Sequence, residues 1–277
     1  MKNKDNTLIY DDECPLCLWY TGAFVKTGLL EKEGRQAFST ISPELLQAIN
    51  PQRSRNEIPL LNNETKQVVY GIDALLEIIG QRCPVVRTTG HLPPVHWLLK
   101  KLYNFISFNR KVIVARKNQP GKTDCSPAFS ARYRILFMAF FLLFNTAMLI
   151  PVHHYLLKNI SFYTCSLAGL QLAHGVLVSI NILLACTLNR KKAIEYLGQV
   201  NMLALITILL LTPLLAINIL FPPAGWLILS YLVLLTLFVL KEYSRRMHYA
   251  GITEGHTNIM LINLLSLLAF MTCLFIL

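Results

Sequence analysis

The chain has 277 residues, of which 54% are hydrophobic and 15% charged, and a formal net charge of +11. That apolar share excludes an ordinary soluble protein and places much of the chain in lipid. The charge is uneven: residues 1–81 hold 8 Lys/Arg against 11 Asp/Glu, residues 82–134 hold 11 against 1. The basic excess is thus a belt just ahead of the long apolar runs, which points to anionic headgroups of the cytoplasmic leaflet and away from nucleic acid.

Thr7–Tyr10 is a short β-prone run, followed by "YDDECPLC" with Cys14 and Cys17. A helix is predicted from about Pro15 to Leu30, in which Leu16, Tyr20, Phe24 and Leu29 share a face. "RQAFSTI" reads as a second strand and "PELLQAI" as a short helix after Ser42, with Pro43 suited to its first turn. "EIPLLNNETKQVVYG" reads as a hairpin, Pro59–Leu61 against Gln67–Tyr70, and "GIDALLEIIG" as an amphipathic helix ending at Gly80. The order of strand, cysteine pair, helix, strand, helix, proline hairpin and helix is that of an α/β thioredoxin-like domain. In it the first cysteine sits at a helix N-terminus, where unpaired amides favour thiolate. The pair itself admits three readings. It is a redox dithiol, or half of a zinc site completed from Cys83, His91, His96 or Cys125, or two buried cysteines in a domain used only for binding.

The "YDDECPLC" stretch resembles the signature of the DCC family of thiol-disulfide oxidoreductases, an Asp-x-x-Cys-x-x-Cys motif that falls here on Asp11, Cys14 and Cys17. "YGIDALLEII" and "LYNFISFNRKVI" resemble that family's closing helix and tail, so the resemblance covers residues 7 to about 115. It implies disulfide exchange with Cys14 as nucleophile and Cys17 as resolving thiol, needing no cofactor beyond the dithiol. Asp11 would orient a proton transfer or cap the helix. Pro59 after Ile58 stands where thioredoxin-like folds place a proline opposite the CxxC, leaving the backbone of Ile58 to pair with substrate. Asp12 departs from the family's commoner glycine, and an added carboxylate is expected to raise the thiol pKa. The implied partner is a protein or a low-molecular-weight thiol or disulfide.

Three regions are expected: residues 1–82 as the domain, 83–134 as a basic segment and linker, and 135–277 as an all-α polytopic membrane bundle. In the second, "PPVHWLLKKLYNFISFNRKVI" places Trp97, Leu98, Leu102, Phe105, Ile106 and Ile113 near one helical face. It reads as an interfacial helix or as a helix closing the domain's core. "KNQPGKTDCSPAFSARYR" reads as a linker.

Five spans are predicted, Ile135–Val152, Thr164–Leu188, Leu197–Phe221, Gly225–Leu240 and Ile259–Leu277, too apolar on all faces for a bundle in water. Arg190–Lys192 and Lys241, Arg245 and Arg246 follow the second and fourth spans. By the positive-inside rule those loops and the N-terminal domain are cytoplasmic and the C-terminus is outside. No signal sequence is read ahead of the domain, so its cysteines are expected in a reducing compartment. Asn145, Gln171, His174, Asn181, Asn201 and Asn218 should face the bundle interior, as interhelical hydrogen-bond partners or, for His174, as a haem ligand or quinone contact. Two functions follow: a membrane-bound oxidoreductase, or a binding or transport bundle whose attached domain senses redox state, recruits a partner or binds zinc.

Overall fold

The computed structural model describes residues 6–115, 127–161, 163–221, 224–253 and 255–276. It divides into two compact units, Met1–Tyr133 and Arg134–Leu277.

The first unit is built on a four-stranded mixed sheet in the order β2-β1-β3-β4. Strand β1 (Asn6–Tyr10) pairs in parallel with β2 (Arg35–Ala37) and antiparallel with β3 (Pro59–Asn62), which pairs antiparallel with β4 (Val68–Tyr70). A parallel pair needs a crossover, and helix α1 (Pro15–Lys26) supplies it. Side chains alternate across a strand, so Leu8 and Ile9 enter opposite layers. Leu8 joins Leu30, Ile58, Leu60, Ala74 and Ile78, while Ile9 packs with Phe38 and Ile49.

Local chemistry sets the element ends. Pro15 opens α1, and beyond its last turn Gly28 takes a left-handed φ of 70°. Helix α2 (Pro43–Ala48) is capped by Ser42, whose Oγ accepts from Leu45 N, and α3 (Pro51–Ser54) by Asn50. The second strand stops at Ala37, short of the predicted Ile41, because Phe38–Thr40 form a 3-10 turn that buries Phe38.

Helices α4 (Ile72–Gly80), α5 (Pro84–Gly90) and α6 (Pro93–Val114) complete this unit. The division between the two compact units falls between residues 133 and 134, so α5 and α6, expected in the basic segment 83–134, belong to the first. The Ile58 amide donates to Tyr103 Oη of α6 at 2.9 Å, and Ser107 Oγ donates to Asn56 O. Helix α6 has two unlike faces. One face closes the core, and the other leaves Trp97, Leu98 and Leu102 more than half exposed. Most of the expected linker, including Cys125, lies outside the described residues.

The second unit is helical: α7 (Ala131–Tyr155) leads into it, followed by α8 (Leu167–Cys186), α9 (Arg190–Leu220), α10 (Gly225–Tyr249) and α11 (Thr257–Ile276). Four of these, α7 to α10, are long and apolar enough to cross a membrane, and α11 is apolar over a shorter stretch, Thr257–Phe270. Polar side chains are paired inside it. Tyr196 Oη donates to Asn181 Oδ1 at 2.7 Å and accepts from Asn263 Nδ2 at 3.0 Å, and Asn145 Nδ2 approaches Asn201 Oδ1 at 3.4 Å. The basic cluster expected in a loop after the fourth span is instead helical. Arg246 is buried, donating to Glu242 Oε1 at 2.8 Å and to Gln199 Oε1 at 2.7 Å. His174 is half-buried and belongs to no group of metal-ligating side chains among the described residues.

Candidate active site

The site begins where β1 ends. Cys14 N donates to Asp11 O at 3.2 Å, and Asp11 Oδ1 accepts from Glu13 N at 3.1 Å, a turn of the kind aspartate stabilises through its own side chain. The chain then enters α1 with Cys14 itself at the N-cap, its backbone extended at φ −96° and ψ 109°. Its side chain caps nothing, so the sulfur remains at the helix N-terminus, where the amides of the first turn lack partners. Asp11 is therefore the residue that shapes the turn, and the cap position belongs to the cysteine.

The two thiols are driven apart in acidity. The Cys14 pKa is lowered from 9.0 to about 6, chiefly because Cys17 Sγ–H donates to the Cys14 sulfur; burial opposes this, while the Cys17 amide and the Arg110 charge assist it. Cys17 is raised well above the ordinary thiol value because it donates that hydrogen bond and is buried. Neither cysteine is in a disulfide. The arrangement offers one thiolate and one thiol near neutral pH, the division of labour that stepwise exchange requires. Both residues are only 4% exposed.

Arg110 reaches this pocket from α6. Its Nη2 donates to Asp11 Oδ2 at 3.1 Å and to Arg55 O at 3.0 Å, and Nη1 lies 3.9 Å from Cys17 Sγ. Burial works against its charge, but Cys17, Asp11 and Cys14 outweigh it and raise its pKa. On the other side Tyr20 Oη stands 3.9 Å from Cys17 Sγ, its own pKa raised by burial. Arg35 braces the opening turns of α1: its Nε donates to Thr21 Oγ1 at 2.9 Å, Nη2 to Leu18 O at 3.1 Å, and its guanidinium lies 4.0 Å from the Tyr10 ring centroid.

Two expectations change. The Cys14 pKa is lowered rather than raised: the Asp12 carboxylate is engaged by Ser39, accepting from N at 3.2 Å and Oγ at 2.7 Å, and Asp11 is an acid that opposes the thiolate. Nor is the backbone of Ile58 left open. Its amide donates to Tyr103 and its carbonyl accepts from Gly71 N at 2.9 Å, while Ile58 and Pro59 are both buried and no cis peptide bond occurs among the described residues.

Arg110, Tyr20 and Tyr103 are the polar residues that sequence reasoning did not bring to the site. The signal was the spacing of Tyr103, Ser107 and Arg110, at i, i+4 and i+7, which marks one face of α6. The zinc set is not assembled as expected. Cys83 is exposed at the N-cap of α5, and among the described residues Cys14 and Cys17 join no group of three metal-ligating side chains. His91 and His96 instead meet Asp73, with His96 Nε2 2.6 Å from Asp73 Oδ1.

Residues 8–116 match the family model of the DCC1-like thiol-disulfide oxidoreductase. No curated protein and no solved structure matches the chain significantly. The resemblance read from the cysteine motif is borne out over that range, which includes Asp11, both cysteines and Arg110, and ends before the long apolar helices.

Proposed function

We propose that the DCC1-like unit exchanges dithiol for disulfide at the cytoplasmic face of a membrane that the second unit spans. The Cys14 thiolate attacks one sulfur of a partner disulfide, breaking that bond and releasing a partner thiolate. Cys17 then loses its proton and attacks Cys14 Sγ, releasing the second partner thiolate. The partner gains two electrons, Cys14 and Cys17 become a disulfide, and a dithiol reductant of the compartment resets the pair. The observation that carries this reading is the opposed acidity of the two thiols around a buried guanidinium.

Sidedness rests on the basic residues Arg190–Lys192 and Lys241, Arg245 and Arg246 at the ends of α9 and α10 that the positive-inside rule assigns to the cytoplasm. The exposed apolar face of α6, with Lys100 and Lys101 beside Trp97 and Leu98, suits an anionic leaflet surface. The partner is a protein or a small thiol compound, and the dithiol itself is the redox group.

The near-complete burial of both cysteines favours a second reading, in which the pair is oxidised slowly and reports redox state to a bundle that does the work. Equilibrium titration of the full-length protein in detergent, with thiol alkylation and mass readout, tests the first. A reversible two-electron transition, with covalent capture of a partner in Cys17→Ser and none in Cys14→Ser, supports exchange. Reversible oxidation without any captured partner leaves the sensor reading, and no disulfide at any potential sinks both.

A further inference from the structure

We propose that Asp73, His91 and His96 form a zinc site in the first unit, separate from the cysteine pair. The three residues come from three helices. Asp73 lies in the first turn of α4, His91 is the residue that ends α5, and His96 lies in the first turn of α6. One ligand atom from each falls within 4.8 Å of the other two, with His96 Nε2 2.6 Å from Asp73 Oδ1. The imidazole rings of His91 and His96 stack with centroids 5.7 Å apart and 22° between planes.

The backbone holds these ligands in place. Pro93 and Pro94 fix the bend between α5 and α6, so the segment joining the two histidines has little freedom. Helix α5 lies tight against α4 because glycine stands at both points of closest approach: a Cβ at Gly90 would lie 2.5 Å from Leu76 Cδ2, and one at Gly80 2.6 Å from Arg87 Cβ. That approach is what carries His91 to Asp73.

The donor set selects the ion. Two imidazoles and one carboxylate suit a borderline divalent cation, where Ca²⁺ and Mg²⁺ prefer oxygen ligands. Bonds of ~2.0–2.2 Å at tetrahedral angles put neighbouring ligand atoms roughly 3.4 Å apart. The present cluster reaches that spacing by parting Asp73 from His96 by less than about 1 Å and turning the His91 ring inward. His91 is exposed and the other two half-exposed, which gives the ion an entry path and leaves a fourth position for water. A bound ion would fasten α4, α5 and the start of α6 to one another.

The test uses tag-free full-length protein in detergent, stripped with chelator, in a Cys14→Ser/Cys17→Ser background. Co²⁺ and then Zn²⁺ are titrated. The expected result is one Co²⁺ per chain with a nitrogen and oxygen ligand-field spectrum free of thiolate charge transfer, displaced by one Zn²⁺ that raises the Tm. His91→Ala and His96→Ala should each weaken binding by more than the ~10–100-fold typical of an outer-shell change. Because His91 is exposed, His91→Ala should keep the metal-free Tm, so its result stands even if His96→Ala folds poorly. Absence of binding in this background, or binding unchanged in both histidine variants, overturns the site. The same holds if only the protein with intact Cys14 and Cys17 binds zinc.

Discussion

Both units bury an arginine beside a carboxylate, yet only one arrangement is poised for chemistry. In the helical unit Arg246 is held by Glu242 one turn earlier on its own helix and by Gln199 on α9, groups that keep their charge or their amide. In the α/β unit Arg110 is held by Asp11 and a backbone carbonyl, and its field also falls on two thiols whose charge is changeable. Buried charge by itself therefore marks structure. It marks a reactive site when the group it faces can gain or lose a proton or form a covalent bond.

The contrast is sharpest at Arg110. Arg110→Ala leaves Asp11 buried without its cation and should destabilise the first unit by ~3–5 kcal/mol, read by hydrogen exchange of β1 and β3 amides. An Asp11→Leu/Arg110→Met pair should recover much of that stability while the pH midpoint of Cys14 alkylation stays above the wild-type value. If the midpoint is unchanged in the pair, the guanidinium has no part in setting thiol acidity.

A pH profile comes next. Alkylation of Cys14 should be half-maximal near pH 6 and fall below it. The folded pKa lies below the unfolded value near 9, so the stability Cys14 contributes is fully present above pH 9 and is lost as pH falls through about 6. Reduced wild type should therefore gain stability over Cys14→Ser between those limits, and a flat difference would remove the thiolate from the account.

Smaller effects follow. Tyr103→Phe strands the buried Ile58 amide and should cost about 1–3 kcal/mol in unfolding of the first unit. In the other unit, Asn263→Leu breaks the contacts to Tyr196 and Asn181 and should cost only ~0.6–2 kcal/mol, as interhelical hydrogen bonds in membranes do, with no change in Cys14 alkylation. Smallest of all, Asp12→Asn should barely move the Cys14 midpoint, because Ser39 holds that carboxylate.

What was readable in the sequence was local. The strand, the CxxC at a helix start, the short helix after Ser42 and four of the five apolar spans each rest on neighbouring residues and formed as expected, the fifth being a shorter apolar helix. Asp11 was legible as a residue of the motif, though its part in the turn ahead of α1 was not. What was hidden depends on tertiary approach. Nothing in its immediate neighbours sets Arg110 apart from Lys111 beside it; its inward direction follows from the packing of α6, where Tyr103 meets Ile58 and Arg110 meets Asp11. Asp12 looked harmful because adjacency in sequence suggests adjacency of charge, whereas Ser39 draws its carboxylate away from the thiols. Arg246 reads from the sequence as a loop residue that marks topology, because its partner Gln199 belongs to another helix.

The guanidinium beside Cys17 stands 93 residues further along the chain. A ribosome synthesising this protein thus delivers both cysteines, and the helix they begin, long before it delivers α6. Until α6 has emerged and docked, the thiols lack the charge that Arg110 contributes and sit in a half-built pocket. Full reactivity waits for α6, so completion of the α/β unit acts as a licence that keeps the nascent dithiol from engaging disulfides before its own pocket is built.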